Sequence, residues 1–269
     1  MPTSLGVGMA QGEAGSPTDT ATREPFGRTL KSRSLDDELR VDGYVVLDLL
    51  EAAEIRQLIE GWSTIRTSYT PAWDPTGMAV TLRHPGIDHL AHDLIRPVLE
   101  PRIQELCSER TGFMSTYLVK KANSGLLPPH LDWRLVNEPQ SLTYGCWVAL
   151  HDMTPETGAL GVVPGSHVMV DFDRTPVDPG HDRVDGIVER AGRAETLFVE
   201  AGQAVIFDHR LIHFSDPNSS DEDRLAVNFG LSTVEDATVA HDRLVSYMEE
   251  GMKGLTVASQ LANFDPNSA

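Results

Sequence analysis

Cysteine is scarce in this 269-residue chain, and lysine nearly as scarce: two cysteines, Cys107 and Cys146, and the lysines Lys31, Lys120, Lys121 and Lys253. The two cysteines make neither a CxxC motif nor a disulfide framework, which excludes a stapled secreted scaffold. Both sit in apolar stretches and read as small core residues of a reducing compartment. Positive charge is short as well. With 22 basic against 40 acidic residues the formal net charge is −18. No basic face is left to neutralise phosphates, which argues against a nucleic-acid partner. No apolar run approaches the about 20 residues of a membrane span, and no charged-then-apolar leader opens the chain. The expectation is a cytoplasmic protein with no membrane partner. Its oligomeric state is not legible.

What is there begins late. Residues 1–33 are rich in Gly, Ser, Thr and Pro, lack periodicity, and read as disordered. From Leu35 the pattern becomes a short helix, a turn at Asp42-Gly43 and an apolar strand from Tyr44. Ile55, Leu58, Ile59 and Trp62 form the stripe of an amphipathic helix. Residues 87–110 read as further helix, interrupted at Pro97 and Pro101. After Thr111 come seven or eight short strands separated by Gly, Pro, Asn and Asp turns. That order predicts one domain over 34–250, mainly β with packed helices, its strands closed or sandwiched around the core. The charged, Gly- and Pro-bearing segment 171–195 reads as a long lid-like insertion, and 251–269 as a C-terminal tail.

The chemistry gathers around PPHLDW. Residues two apart on an extended strand share a face, so His130 and Asp132 project together. An imidazole and a carboxylate are two legs of a facial metal site, and a second histidine completes the 2-His-1-carboxylate set that suits non-haem Fe(II). His213 in GQAVIFDHRLIHFSD is the candidate, at the end of an apolar strand. Eleven residues on, Arg224 starts RLAVNFGLS, and a hairpin would bring it beside His213. A guanidinium there can grip a carboxylate through two hydrogen bonds. The competing readings are a salt-linked His130–Asp132 surface pair and an Arg224 neutralised by Asp221 or Asp223.

These pieces stand in the order DGYVVLDLL, YLVKKANSG, HLD, CWVALHDMTPETGALGVVPGSH and GQAVIFDHRLIHFSDPNSSDEDR, spanning about 42–233. In that order the chain resembles the phytanoyl-CoA dioxygenase family of Fe(II)/2-oxoglutarate oxygenases. The resemblance implies a double-stranded β-helix, a jelly-roll or cupin-like barrel with iron at its open end. It implies His130, Asp132 and His213 as iron ligands and Arg224 as partner of the C5 carboxylate of 2-oxoglutarate. Tyr117 and Trp147 fall where the family contacts the cosubstrate, although Trp147 alternates with Ala149 and fits a core position equally. Asp132 rules out the halogenase variant, in which a small residue leaves room for chloride. Fe(II), 2-oxoglutarate and O2 follow as cofactor and cosubstrates, with hydroxylation of a small natural-product or amino-acid-like molecule through a ferryl species.

Other polar residues are weighed more simply. Arg134, His167 and Arg83 are candidate substrate contacts. Lys120 and Lys121 offer charge near the pocket, or lie on the surface. His89 and His92 read as a solvated helix face, and His209 as a turn residue. Two other functions remain open. One is a cupin-type metal oxygenase or isomerase that does not use 2-oxoglutarate; the other is a barrel that binds small molecules without turnover.

Overall fold

The computed structural model describes residues 27–262, apart from Ser68, Ala72, Pro85 and residues 176–180. Its helices are α1 (Arg33–Asp42), α2 (Ala52–Ile65), α3 (Ile87–Leu106), α4 (His181–Ala191) and α5 (Ala237–Ala262). Its strands are β1 (Tyr44–Asp48), β2 (Met78–Val80), β3 (Arg110–Lys120), β4 (Leu127–His130) and β5 (Tyr144–Ala149), followed by β6 (Leu160–Val162), β7 (Glu195–Leu197), β8 (Gln203–Asp208), β9 (His213–Ser215) and β10 (Arg224–Thr233). All pairings are antiparallel. The major sheet has the order β1-β8-β5-β10-β3-β2 and the minor sheet β4-β9-β6-β7. Two facing antiparallel sheets with helices on the outside give the closed β core that the strand pattern allows and the double-stranded β-helix that the family resemblance implies.

The major sheet is buried on both faces, and strand alternation divides its residues between two cores. Tyr144, Cys146 and Val148 of β5 join Val227, Phe229 and Leu231 of β10 in the layer beneath α2 and α3. Their neighbours Trp147, Ala149 and Ala226 face the barrel interior with Val205 and Phe207 of β8. Both cysteines are free and buried, and burial pushes the Cys107 thiol up to about 12.

Helix α3 departs from the expected interruption. It runs unbroken through Pro97 and Pro101. Each proline removes one backbone bond at a cost of about 3 kcal/mol in a helix interior. Ala91, Ile95, Val98, Leu99 and Ile103 nevertheless bury one continuous face, and tertiary packing supplies most helical stability.

Both ends of the chain are more structured than composition suggested. Residues 1–26 lie outside the described residues, but Thr29 and Leu30 are buried, and their N–H groups donate to Asp36 Oδ1 at 2.8 and 2.9 Å. At the other end α5 continues to Ala262 through most of the expected tail, and residues 263–269 lie outside the description. Ala240 and Leu244 pack on Phe113, Leu135 and Val136.

The insertion 171–195 is built differently from a loose lid. Residues 176–180 lie outside the described residues. Beyond them α4 buries Val184 and Ile187 against Leu131, Val163 and Ile212. Arg174, fully buried, donates to Asp132 O at 2.8 Å and ion-pairs with Glu138. Helical spacing of apolar side chains, masked in sequence by the flanking charges, turns this segment into a packed wall. None of its described residues lines the cavity below.

Candidate active site

The barrel interior opens into a cavity of about 520 Å3 lined by both sheets. His130, at the end of β4, pairs in register with His213, at the start of β9, and their ring centroids are 4.2 Å apart. Each ring is tied by its own local backbone. His130 Nδ1–H donates to Pro128 O at 2.8 Å, and His213 Nδ1–H donates to Leu211 O at 3.0 Å. This tautomer puts the lone pair of each imidazole on Nε2, the form a metal ligand needs. Phe207 supports His213 at 4.9 Å between centroids.

Asp132 is not on the strand, which ends at His130. Its side chain is about one-third exposed, and its Oδ2 lies 3.7 Å from Nε2 of His209. Burial pushes the carboxyl up, but His209, His213, His130 and Arg174 together outweigh it and hold the group below its usual range. As placed, no three His, Cys, Asp or Glu side chains among the described residues close around one point tightly enough to hold a metal ion. The two imidazoles meet, while the carboxylate leans toward His209. The donor chemistry fits a 2-His-1-carboxylate iron site; its closure is not formed in this conformation.

Arg224 lies across the same cavity but not in a hairpin with His213. β9 belongs to the minor sheet and β10 to the major one, so the 216–223 connection crosses between sheets. Arg224 is 4% exposed, its guanidinium lies 5.5 Å over the Trp147 ring, and Nε has no partner. Its hydrogen-bond contact is Met78 Sδ at 3.7 Å. Asp223 instead accepts from Ala122 N–H, and Asp221 from Asn123 Nδ2. Burial lowers the Arg224 pKa to about 10. A buried cation without an anion is costly unless a ligand brings one.

The remaining candidates divide. Trp147 lines the cavity. Arg83 does too, half exposed and 3.8 Å from Asp74. Tyr117 does not: it is fully buried beneath the helices, donating its hydroxyl to Leu58 O at 2.9 Å. Alternation along β3 turns Tyr117 outward and its neighbours Thr116 and Leu118 inward. Arg134 pairs with Asp173, away from the cavity. His167 donates from Nε2 to Arg40 O at 3.1 Å and is packed against the turn at Gly43. His92 is half-buried, bonded to Ser115 Oγ at 3.2 Å, so it is no solvated face. Sequence reading missed Asn228 and His209, which both line the cavity, and Leu244 and Met248 of α5, which close its far wall. Parity with Arg224 along β10 would have found Asn228; nothing local would have found the other three.

A mainly β barrel whose two sheets enclose paired histidines, an acidic neighbour and an unneutralised arginine defines a class: non-haem metal enzymes of the double-stranded β-helix type. The sequence profile of the phytanoyl-CoA dioxygenase family matches residues 39–226, and the chain belongs to that family. Enzymes of the family depend on Fe(II) and 2-oxoglutarate and use O2, so these are the cofactor and cosubstrates of this chain. "Phytanoyl-CoA dioxygenase domain-containing protein 1" of Danio rerio is 25% identical, covering 83% of this chain and 80% of its own. The Bos taurus protein of that name is 34% identical across 44% of this chain and 43% of its own. Among solved structures, the alpha-ketoglutarate-dependent carbocyclase SnoK from nogalamycin biosynthesis shares the fold with a TM-score of 0.58 and 19% identity. That match covers 80% of this chain and 93% of SnoK. EctD from S. alaskensis, solved with 2-oxoglutarate and 5-hydroxyectoine, has a TM-score of 0.54 and 19% identity, covering 80% and 79%. No helix among the described residues is long and apolar enough to cross a membrane.

Proposed function

We propose that this chain is an oxygenase that hydroxylates a small, largely apolar molecule of natural-product type. In this reading His130, Asp132 and His213 hold Fe(II), and Arg224 seats the far carboxylate of 2-oxoglutarate. The observation that carries it is Arg224, a buried guanidinium with no carboxylate of its own, in the cavity that the histidine pair also lines. A 2-oxo diacid supplies the missing anion at one end and two metal-seeking oxygens at the other.

Bound Fe(II) supplies the O2 chemistry: substrate C–H, O2 and 2-oxoglutarate become substrate C–OH, succinate and CO2. The protein supplies placement. His130 and His213 present Nε2 lone pairs from adjacent strands, so a cation between them has fixed neighbours. Asp132 adds the negative charge. The Trp147 ring, against the Arg224 guanidinium, flattens one wall of the slot for the diacid. Leu82, Leu127, Leu135, Leu244 and Met248 keep the rest of the cavity apolar, which suits a carbon-rich substrate and excludes water from the reacting centre. Among the described residues lining the cavity Arg83 is the remaining cation, which is little charge to hold the phosphates of a coenzyme A handle. SnoK, from nogalamycin biosynthesis, and EctD, solved with 5-hydroxyectoine, are in keeping with a small-molecule substrate.

Protein purified without oxygen, then given Fe(II), 2-oxoglutarate and air, is expected to form succinate slowly even without substrate. Iron-dependent turnover that ignores 2-oxoglutarate would support a cupin-type enzyme instead. A binding barrel without turnover is favoured by one observation, the unclosed donor set. Absence of both metal binding and succinate would decide for it.

A further inference from the structure

His209 is a buried, cavity-lining polar side chain that the proposed reaction leaves unused. It occupies the turn after β8, where Leu211 N–H donates to Asp208 O at 2.8 Å and Arg210 Nη2 donates to the Asp208 carboxylate at 2.6 Å. Its own N–H donates to Thr143 O at 3.2 Å, so the backbone of this turn is anchored on both sides. The imidazole is 2% exposed and lies 6.2 Å from the rings of both Phe113 and Phe207. The ring has little freedom to swing.

Its two nitrogens have different fates. Nδ1 meets Thr143 Oγ1 at 2.9 Å. Nε2 is buried with no hydrogen-bond partner, and the Asp132 carboxylate oxygen Oδ2 lies 3.7 Å from it. A threonine hydroxyl that donates to Nδ1 leaves the proton of a neutral imidazole on Nε2, aimed at the carboxylate. A buried N–H left unpaired costs about 1–3 kcal/mol. A shift of less than about 1 Å brings this one to the N–H···O distance of a normal bond.

We propose that His209 is a positioning residue whose Nε2–H takes one oxygen of the Asp132 carboxylate and thereby turns the other toward the metal. The proposal rests on the reading of Asp132 as a metal ligand. It assigns His209 a contact with the ligand, and none with the metal or the substrate.

The test is Co(II) binding to the full apo chain, followed by titration calorimetry and by the visible d–d absorption of the ion. Thermal unfolding of each apo variant is measured beside it. Asp132→Ala is expected to abolish binding. His209→Leu is expected to weaken Co(II) about 10- to 100-fold, the usual loss when an outer partner of a ligand is removed, while the unfolding midpoint stays close to the parent. His209→Gln, which restores an N–H donor, is expected to recover most of the affinity and the parent spectrum. A merely structural histidine would not show that rescue. Parental Co(II) affinity in His209→Leu overturns the proposal and leaves the metal reading standing. Loss as complete as in Asp132→Ala also overturns it, because His209 would then be a ligand itself. Should His209→Leu fail to fold, Thr143→Val decides. It frees Nδ1, and parental affinity there overturns the proposal. Parental affinity in Asp132→Ala removes the metal reading, and the proposal with it.

Discussion

Arg224 and Lys120 sit opposite each other on β10 and β3, two cations sealed from water on neighbouring strands. They differ in purpose. Arg224 borders the cavity, so its cost is recovered when an anion binds; Arg224→Ala is therefore expected to raise KM for 2-oxoglutarate while leaving the fold intact. Loss of a charge-assisted pair is worth about 1.5–3 kcal/mol, or roughly 10- to 100-fold. An unchanged KM would remove the clamp. Lys120 does not border the cavity, and its Nζ donates to Ser215 O at 3.5 Å. Burial, then the field of Arg224, lowers its pKa to about 8. Below pH 8 it is charged in both folded and unfolded states, and the folded state bears the full cost. Between about 8 and 10.5 the unfolded chain holds the proton more tightly, so folding gains stability as pH rises. Lys120→Met is accordingly expected to stabilise the protein by about 1–3 kcal/mol below pH 8. That advantage should fade toward pH 10.5. Denaturant unfolding at several pH values checks it, and a flat or negative difference would refute the burial cost.

At the scale of elements, the site depends on how closely neighbouring strands approach. Gly145 on β5 pairs in register with Phe207 on β8, and a Cβ at Gly145 would come within 2.5 Å of the Phe207 ring. Phe207 in turn supports His213. Gly145→Ala is thus expected to cost about 1–3 kcal/mol by overpacking. It should also disturb Co(II) binding through the displaced ring. Full metal affinity in a destabilised Gly145→Ala would show that Phe207 can yield without moving His213. Elements also explain how far order along the chain predicts neighbours in space, as where β4 and β9 pair His130 with His213. His130 and His213 could be picked out because strand-end histidines lie in a recognisable order. Tyr117 was misplaced because order says nothing about parity: one position along β3 separates the cavity from the helix-covered core. Segment 171–195 was misread because α4 buries a narrow stripe, Val184 and Ile187, inside a charged stretch.

For the whole molecule, the metal and the diacid would, in the function proposed, join groups from both sheets: His130 and His213 from the minor one, Arg224 from the major one, with Asp132 on the loop after β4. Ligands that bridge the sheets stabilise the folded state alone, by about 2.7 kcal/mol at a hundred times their dissociation constant. In a domain of this size each kcal/mol shifts the midpoint by about 2–4 °C. Co(II) together with 2-oxoglutarate is therefore expected to raise the unfolding midpoint by roughly 5–10 °C, a shift that EDTA reverses. Co(II) without effect on the midpoint would argue that the donors do not close. The acidic surface, at a formal net charge of −18, suits uptake of no large anion, which agrees with an apolar small-molecule cavity.

By itself the sequence determined the class of protein: short strands after a helical layer point to a closed or sandwiched β core, and the order of HLD, PGSH, His213 and Arg224 resembles one family, whose fold is a barrel. It also singled out candidate groups for metal and carboxylate chemistry, because side-chain type and spacing are written directly in the chain. Only the tertiary structure decided which faces those groups share. Burial of Arg224 without a counter-ion, the approach of His209 to Asp132 and the cover provided by α5 all join residues from distant segments. Such contacts arise from sheet closure and side-chain parity, which no local pattern encodes.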